Sequence, residues 1–254
     1  QARHLPKVLL HDHLDGGLRV STILELADSI GWTLPATDPD DLQECFTRGA
    51  ETGDLLQYLA TFEHTLAVMQ TADSIERVAY EAAVDLADNG VVYAEVRFAP
   101  ELHQQQGLEL ETVVEAVTSG FRRGELDSGS TITVNAICCA MRTEHRSLEI
   151  AQLVDRLRSW NDKVVAFDLA GAETGFPPSL HAEALAYARG ALLNITIHAS
   201  EPQDLELISD ALSQGAHRIG HGVRLRADTS LVDPGPVDPD RSPDEVVLGP
   251  LAQY

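Results

Sequence analysis

The sequence predicts an α/β fold built on a parallel sheet. Two observations carry this. Six short apolar runs of strand length recur along the chain, and stretches of helical periodicity connect them. Strands alternating with helices of ten or more residues need crossover connections and therefore pair in parallel. The 254 residues, 44% of them hydrophobic, suffice for a sizeable core and one large domain. A closed eight-stranded β/α barrel and an open doubly wound sheet both begin this way. No G-x-G-x-x-G follows the first strand, which counts against a dinucleotide-binding sheet. In either architecture ligands gather at the carboxyl ends of the strands.

The elements follow in order. Lys7–His13 reads as a buried strand. Ser21 is expected to cap a helix whose Ile23, Leu24, Ala27 and Ile30 share a face and which stops near Gly31. The acidic stretch Thr37–Asp41 reads as a loop and helix start rather than a calcium site. A helix from Asp54 keeps Leu55, Leu59, Phe62 and Leu66 in step, and another runs from Asp73 to the stop signal Asn89-Gly90. Val91–Phe98 is a strand closed by Pro100. Then come a helix at Glu111–Arg123, a strand at Ile132–Cys139, a helix at Ser147–Trp160, a strand at Val164–Asp168 and a helix at His181–Arg189. A strand at Asn194–His198, a helix at Asp204–Gln214 and a strand at Arg218–Gly222 complete six β units. Ala227–Pro243, rich in Asp and Pro, reads as an exposed loop, and Asp244–Gln253 as the start of a helix. Residues 1–254 are read as one incomplete domain, because six units do not close an eight-stranded barrel and an open edge of buried parallel strands is a liability. The chain opens on Gln1 rather than Met, so the natural start is expected upstream.

Composition removes several classes of function. Forty acidic residues against 18 basic give a net charge of −22, which disfavours nucleic acid and other polyanions. No run is long and apolar enough to span a membrane, and no secretion signal opens the chain. Three cysteines, two of them adjacent (Cys138 and Cys139), read as small core residues in a reducing cytoplasm rather than a disulfide framework.

Chemistry concentrates in histidines at strand ends. Alternation along a strand turns His11 and His13 to the same side, and Gly16-Gly17 follow them. His198 ends one later strand and His221 the next. Neutral imidazoles suit zinc, and His11, His13 and His198 supply three. Glu201, three residues past His198, is a candidate general acid if burial raises its pKa; otherwise it is an acid in a first helical turn. His221 lies between Gly220 and Gly222, which are read as leaving room for substrate and water at its ring. It is a candidate to take the proton of the attacking water. His181-Ala182-Glu183 spells H-x-E, but no P-C-x-x-C accompanies it, so it reads as helical surface.

Five motifs, in order from about residue 6 to 223, resemble those of the adenosine deaminases. They are Pro6–Gly16, Gly90–Arg97, Phe167–Gly171, Ile197–Glu201 and Arg218–Val223. The resemblance implies a (β/α)8 TIM-type barrel of the metal-dependent hydrolases, here covering about six of its eight units. It implies one Zn2+ and hydrolytic removal of the 6-amino group of adenosine, and of 2′-deoxyadenosine. His11, His13 and His198 match the zinc histidines, Glu201 the acid that protonates purine N1, and His221 the residue that activates the attacking water. Asp15 matches a carboxylate that binds a ribose hydroxyl, and Gly171 a glycine whose backbone donates to the purine. Phe62 falls near a hydrophobic gate, a looser match. The partner is then a small purine nucleoside, with no nucleic acid and no membrane.

Two departures stand out. The family commonly has Gly where Ser200 stands, so a hydroxymethyl group there either narrows the pocket or adds a hydrogen bond. The family's last zinc ligand is an Asp ending the eighth strand; Asp228, Asp233, Asp238, Asp240 and Asp244 sit instead in the tail, and this stretch alone is expected to be inactive. Three alternatives compete with the adenosine reading. One is a deaminase of another 6-aminopurine, such as adenine or a modified nucleoside. Another is an inactive nucleoside-binding homologue. The third is a different hydrolase with H-x-H on its first strand.

Overall fold

A computed structural model describes residues 5–51, 53, 55–201, 205–231 and 246–248, with only the backbone for 55–60, 226–231 and 246–248. Six parallel strands pair in chain order: β1 (Lys7–His13), β2 (Val91–Phe98), β3 (Thr133–Met141), β4 (Val164–Ala170), β5 (Ile195–Ala199) and β6 (Arg218–His221). The sheet curls far enough for the last strand to approach the first. A Cβ added at Gly220 of β6 would lie 2.8 Å from the His11 ring of β1, and Arg218 of β6 is ion-paired with Glu95 of β2. The architecture is six units of a TIM-type barrel, its helices packed outside.

Four helices fill the first crossover: α1 (Val20–Ile30), α2 (Pro39–Ala50), α3 (Leu55–Ala67) and α4 (Ala72–Asp88). Asp38 caps α2, accepting from the Asp40 and Asp41 amides, with Pro39 in the first turn. The acidic stretch is thus a helix start. Thr71 and Ser74 form a reciprocal capping box at α4. Later connections carry α5 (Leu110–Asp127), α6 (Ser147–Leu157), α7 (Ala182–Gly190) and α8 (Leu205–Ser213). Val113, Val114, Val117 and Phe121 give α5 a fully buried stripe at helical spacing.

Several expectations need correction. Arg19, not Ser21, is the N-cap of α1 and makes no side-chain cap bond. Ile30, the last residue of α1, is exposed. Among the described residues β1 pairs only with β2, and Val8 is 61% exposed in this six-unit stretch of the barrel. Val246–Leu248 (β8), expected within a helix, pairs antiparallel with Thr229–Leu231 (β7). The rest of the tail, including Asp233, Asp238, Asp240 and Asp244, lies outside the described residues. His181 is buried rather than on the surface, its ring bonded to the Ser147 hydroxyl and the Arg142 carbonyl. No described helix is long and apolar enough to cross a membrane.

Candidate active site

The carboxyl ends of all six strands, β1 to β6, open into a cavity of about 430 Å³. All eight residues singled out from the sequence line it: His11, His13, Asp15, Phe62, Gly171, His198, Glu201 and His221. Strand alternation sends both β1 histidines inward, and parallel pairing with crossovers brings residues almost 190 positions apart within contact. Apolar side chains, among them Leu66, Phe98, Leu102 and Met141, line much of the remaining wall. Among the described lining residues there is no Lys or Arg.

Four imidazoles cluster at one end. His13 Nε2 and His198 Nε2 are 3.2 Å apart. The His11 ring centre is 4.8 Å from that of His198 and 4.6 Å from that of His221. Burial pushes the His11 imidazole down to about 2, His13 to about 3 and His221 to about 4, aided by the neighbouring cations. These three rings are therefore neutral, with lone pairs free, near pH 7.

Asp168 orients the cluster from beneath. Fully buried on β4, it lies 3.0 Å from His198 Nδ1 and 2.6 Å from the buried Arg97 guanidinium, and it accepts from the Cys139 thiol. Burial opposes its ionisation, but His198 and Arg97 hold it well below the usual carboxylate range. An ionised Asp168 requires Nδ1–H on His198, which leaves the Nε2 lone pair aimed at His13. Arg97 also donates to the Leu10 carbonyl, one residue before His11.

The cluster fits a single zinc ion. Two nitrogens bound tetrahedrally at about 2.0–2.1 Å stand about 3.3 Å apart, close to the His13–His198 separation. His11 Nε2 is buried and has no hydrogen-bond partner among the described residues. The set whose ligand atoms all fall within 4.8 Å of one another is His11, His198 and His221, with His221 in place of His13. His221 Nε2 faces the Glu201 carboxylate at 3.5 Å, and His13 Nε2 stands 3.2 Å from His198 Nε2, so either ring could supply the third nitrogen.

Glu201 lies on the cavity wall two residues past the end of β5. Burial raises its carboxyl, His198 opposes the rise and Glu173 adds to it. Asp15 is 6% exposed, and its Oδ1 has no partner among the described residues. Burial pushes its carboxyl up to about 6. Gly171 has φ +99°, and a Cβ there would meet the Met141 methyl at 2.9 Å. Phe62 on α3 rests near Gly16 and, with Asp15, separates the main cavity from a second one of about 340 Å³ between α1, α2 and α3.

Ser200 has φ +65°, where glycine is at ease, and its hydroxyl accepts from the Arg224 amide. It does not line the cavity. Of the two effects expected of it, the structure shows the added hydrogen bond. Gly220 does not open space at His221; it makes room for the His11 ring. Sequence reasoning passed over Arg97, Asp168 and Glu173. Two charged residues inside otherwise apolar strands, at 97 and 168, were the available signal.

The adenosine deaminase family model matches residues 6–234. Adenosine deaminase 1 of Streptomyces coelicolor is 51% identical, over 99% of this chain and 62% of its own length. The adenosine deaminase of Mycolicibacterium gilvum is 52% identical, over 90% of this chain and 64% of its own. The chain thus spans just under two thirds of these curated relatives. Among solved structures, adenine deaminase from Arthrobacter aurescens superposes with TM-score 0.74 at 30% identity, over 87% of this chain and 66% of that one. An amidohydrolase from Burkholderia ambifaria with bound Zn gives 0.76 at 26% identity, over 89% and 61%. Arabidopsis ADAL complexed with GMP gives 0.72 at 27% identity, over 87% and 65%.

Proposed function

The chain belongs to the adenosine deaminase family, and from that premise we propose that its protein deaminates adenosine and 2′-deoxyadenosine hydrolytically, giving the inosines and ammonia. The observation that carries this is the convergence of His11, His13, His198 and His221 with Glu201 on one cavity. His11, His13 and His198 would hold zinc, which supplies a Lewis acid and lowers the pKa of a water to about 7.

The protein's own groups do the rest. Attack at C6 breaks the aromaticity of the ring, and the electron pair moves onto N1. Glu201, held towards its protonated form by burial, delivers a proton there so that N1 stays neutral. His221 takes the proton of the attacking water; its neutral ring can accept it. The carbon becomes tetrahedral; the amino group takes the proton held by His221 and leaves as ammonia, while the hydroxyl proton passes to the Glu201 carboxylate as the C6 carbonyl forms. The unpartnered Asp15 oxygen accepts from a ribose hydroxyl, the Gly171 backbone meets the purine edge, and Phe62 covers the base.

The wall also speaks to substrate class. With no Lys or Arg among its described residues and a carboxylate at Asp15, the cavity suits an uncharged nucleoside better than a phosphate ester. A second reading, adenine itself, draws on the adenine deaminase from Arthrobacter aurescens, but that structure is 30% identical against 51% for the Streptomyces relative. Ammonia release by the full-length, zinc-loaded protein from adenosine, 2′-deoxyadenosine, adenine, AMP and N6-methyl-AMP tests both. The two nucleosides should lead. Turnover of adenine alone favours the second reading, and turnover of none refutes the proposal.

A further inference from the structure

Glu173 lies three residues beyond β4, fully buried, and the chemistry above does not use it. Its Oε2 accepts from the Ser200 amide at 2.8 Å and its Oε1 from the Glu201 amide at 3.2 Å. Both oxygens of one buried carboxylate are thus committed to two consecutive amides of the turn after β5. That turn is an unusual one, because Ser200 occupies the left-handed region at φ +65°, a conformation that strains a non-glycine residue. Consecutive amides turned to one side form an anion-binding concavity. Here the anion comes from the protein itself.

A second group works on the same stretch. The buried Arg142 guanidinium, just past β3, donates to the carbonyls of Leu169 on β4 and of His198 on β5, the latter at 2.5 Å. His198 is therefore held through its carbonyl, and the next two amides but one are held through Glu173. The three-residue step from a metal-facing imidazole to Glu201 is clamped along its length by buried charge.

We propose that Glu173 is a positioning residue: its carboxylate sets the Ser200–Glu201 turn so that the Glu201 carboxyl group points at the reacting edge of the purine. This rests on the reading of Glu201 as the proton donor. Without the carboxylate, two amides lose their acceptor and the turn relaxes towards ordinary backbone angles. A misplacement of about 1 Å at a reacting group can cost about a hundredfold in rate.

The experiment compares wild type, Glu173→Gln, Glu173→Asp, Glu201→Gln and the Glu173→Gln/Glu201→Gln double variant, all zinc-loaded. Gln can accept from one amide but presents its NH2 to the other; Asp keeps the charge on a shorter stem. Glu173→Gln should lower kcat for adenosine about 10–100-fold while KM and zinc content change less than about threefold, with Glu173→Asp recovering part of the loss. In the Glu201→Gln background the same change should have no further effect. Hydrogen exchange at the Ser200 and Glu201 amides should accelerate in Glu173→Gln. Losses that multiply in the double variant, or unchanged amide exchange, overturn the proposal. If Glu173→Gln does not fold, Glu173→Asp carries the same comparisons. If wild type deaminates no 6-aminopurine, the proposed function fails on its own, and the exchange measurement still decides whether Glu173 holds the turn.

Discussion

Gly220→Ala tests the proposed metal centre without replacing a proposed ligand. The new methyl carbon would lie 2.8 Å from His11 Cε1, 3.2 Å from His11 Nδ1 and 3.4 Å from His198 Cα. Gly220 is not among the positive-φ positions, so its backbone accommodates alanine and the side chain is the whole perturbation. Restoring ordinary contact moves the imidazole by about 0.6 Å, because overlap at this distance is repulsive. Zinc sites hold their ligand distances to about 0.2 Å, so the displaced ring either leaves the metal or drags it from the other two. Zinc affinity should fall about 10–100-fold, the range seen when a ligand's support is removed. The overpacking penalty on folding should stay within about 1–3 kcal/mol, since the His11 ring can yield towards the cavity. Competition with a chromophoric chelator measures the affinity, and denaturant unfolding of the metal-free protein measures the stability. Zinc affinity within about threefold of wild type would refute the assignment of His11 as a ligand.

Glu201→Gln keeps the shape and removes the transferable proton, so kcat should fall about 10²–10⁴-fold with KM little changed; a loss under about tenfold would exclude it as the acid. Because burial raises this carboxyl, kcat in wild type should fall as pH rises through the raised value, and that limb should vanish in Glu201→Gln. The metal-free protein should lose stability as pH falls below about 6.5, where unfolded imidazoles take up protons that folded His11, His13 and His221 refuse. A melting temperature flat from pH 8 to 5 would contradict the burial of these rings. Ser200→Ala keeps the left-handed strain and loses the bond from the Arg224 amide, so it should cost about 1 kcal/mol. Ser200→Gly loses the same bond but relieves the strain, and should lie closer to wild type in urea unfolding. A glycine variant less stable than the alanine variant would show that strain is not what the position contends with.

What the sequence made legible was whatever depends on period and order. Alternation put His11 and His13 on one side, and both line the cavity. Six apolar runs with helical connections gave six parallel strands. Val8 and Leu10 are as apolar as a central strand, and they are exposed where β1 pairs on one side only among the described residues. The contribution of Gly220 was hidden for a related reason: its neighbour in space, His11, is 209 positions away, so the glycine looked like an opening beside His221. Asp168 was in plain view inside a quoted motif, yet its partners Arg97 and His198 lie 71 and 30 positions off. Caps failed where Ser21, a good capping type, is the second residue of a helix that begins two residues earlier than a cap there would place it.

The buried ions divide the work of holding the site. Arg97 and Asp168 meet at 2.6 Å with 1% and 0% of their side chains exposed. Taking two such charges out of water costs several kcal/mol each, so the pair is a weak source of stability and needs another explanation. Geometry supplies one. Arg97 ties β2 to the Leu10 carbonyl of β1 and to Asp168 of β4, and Asp168 passes that constraint to the His198 ring. One guanidinium therefore fixes the backbone beside His11 and, through one carboxylate, the tautomer of His198. Arg142 and Glu173 act one layer nearer the cavity, on carbonyls and amides rather than on rings. The imidazoles stand on strands and need only orientation. Glu201 stands on a turn, where the backbone itself must be restrained, and it is there that a carboxylate is committed to amide donors. On the proposed reading, a metal centre on strands and an acid on a clamped turn are two answers to one requirement: reacting groups held to a fraction of an ångström.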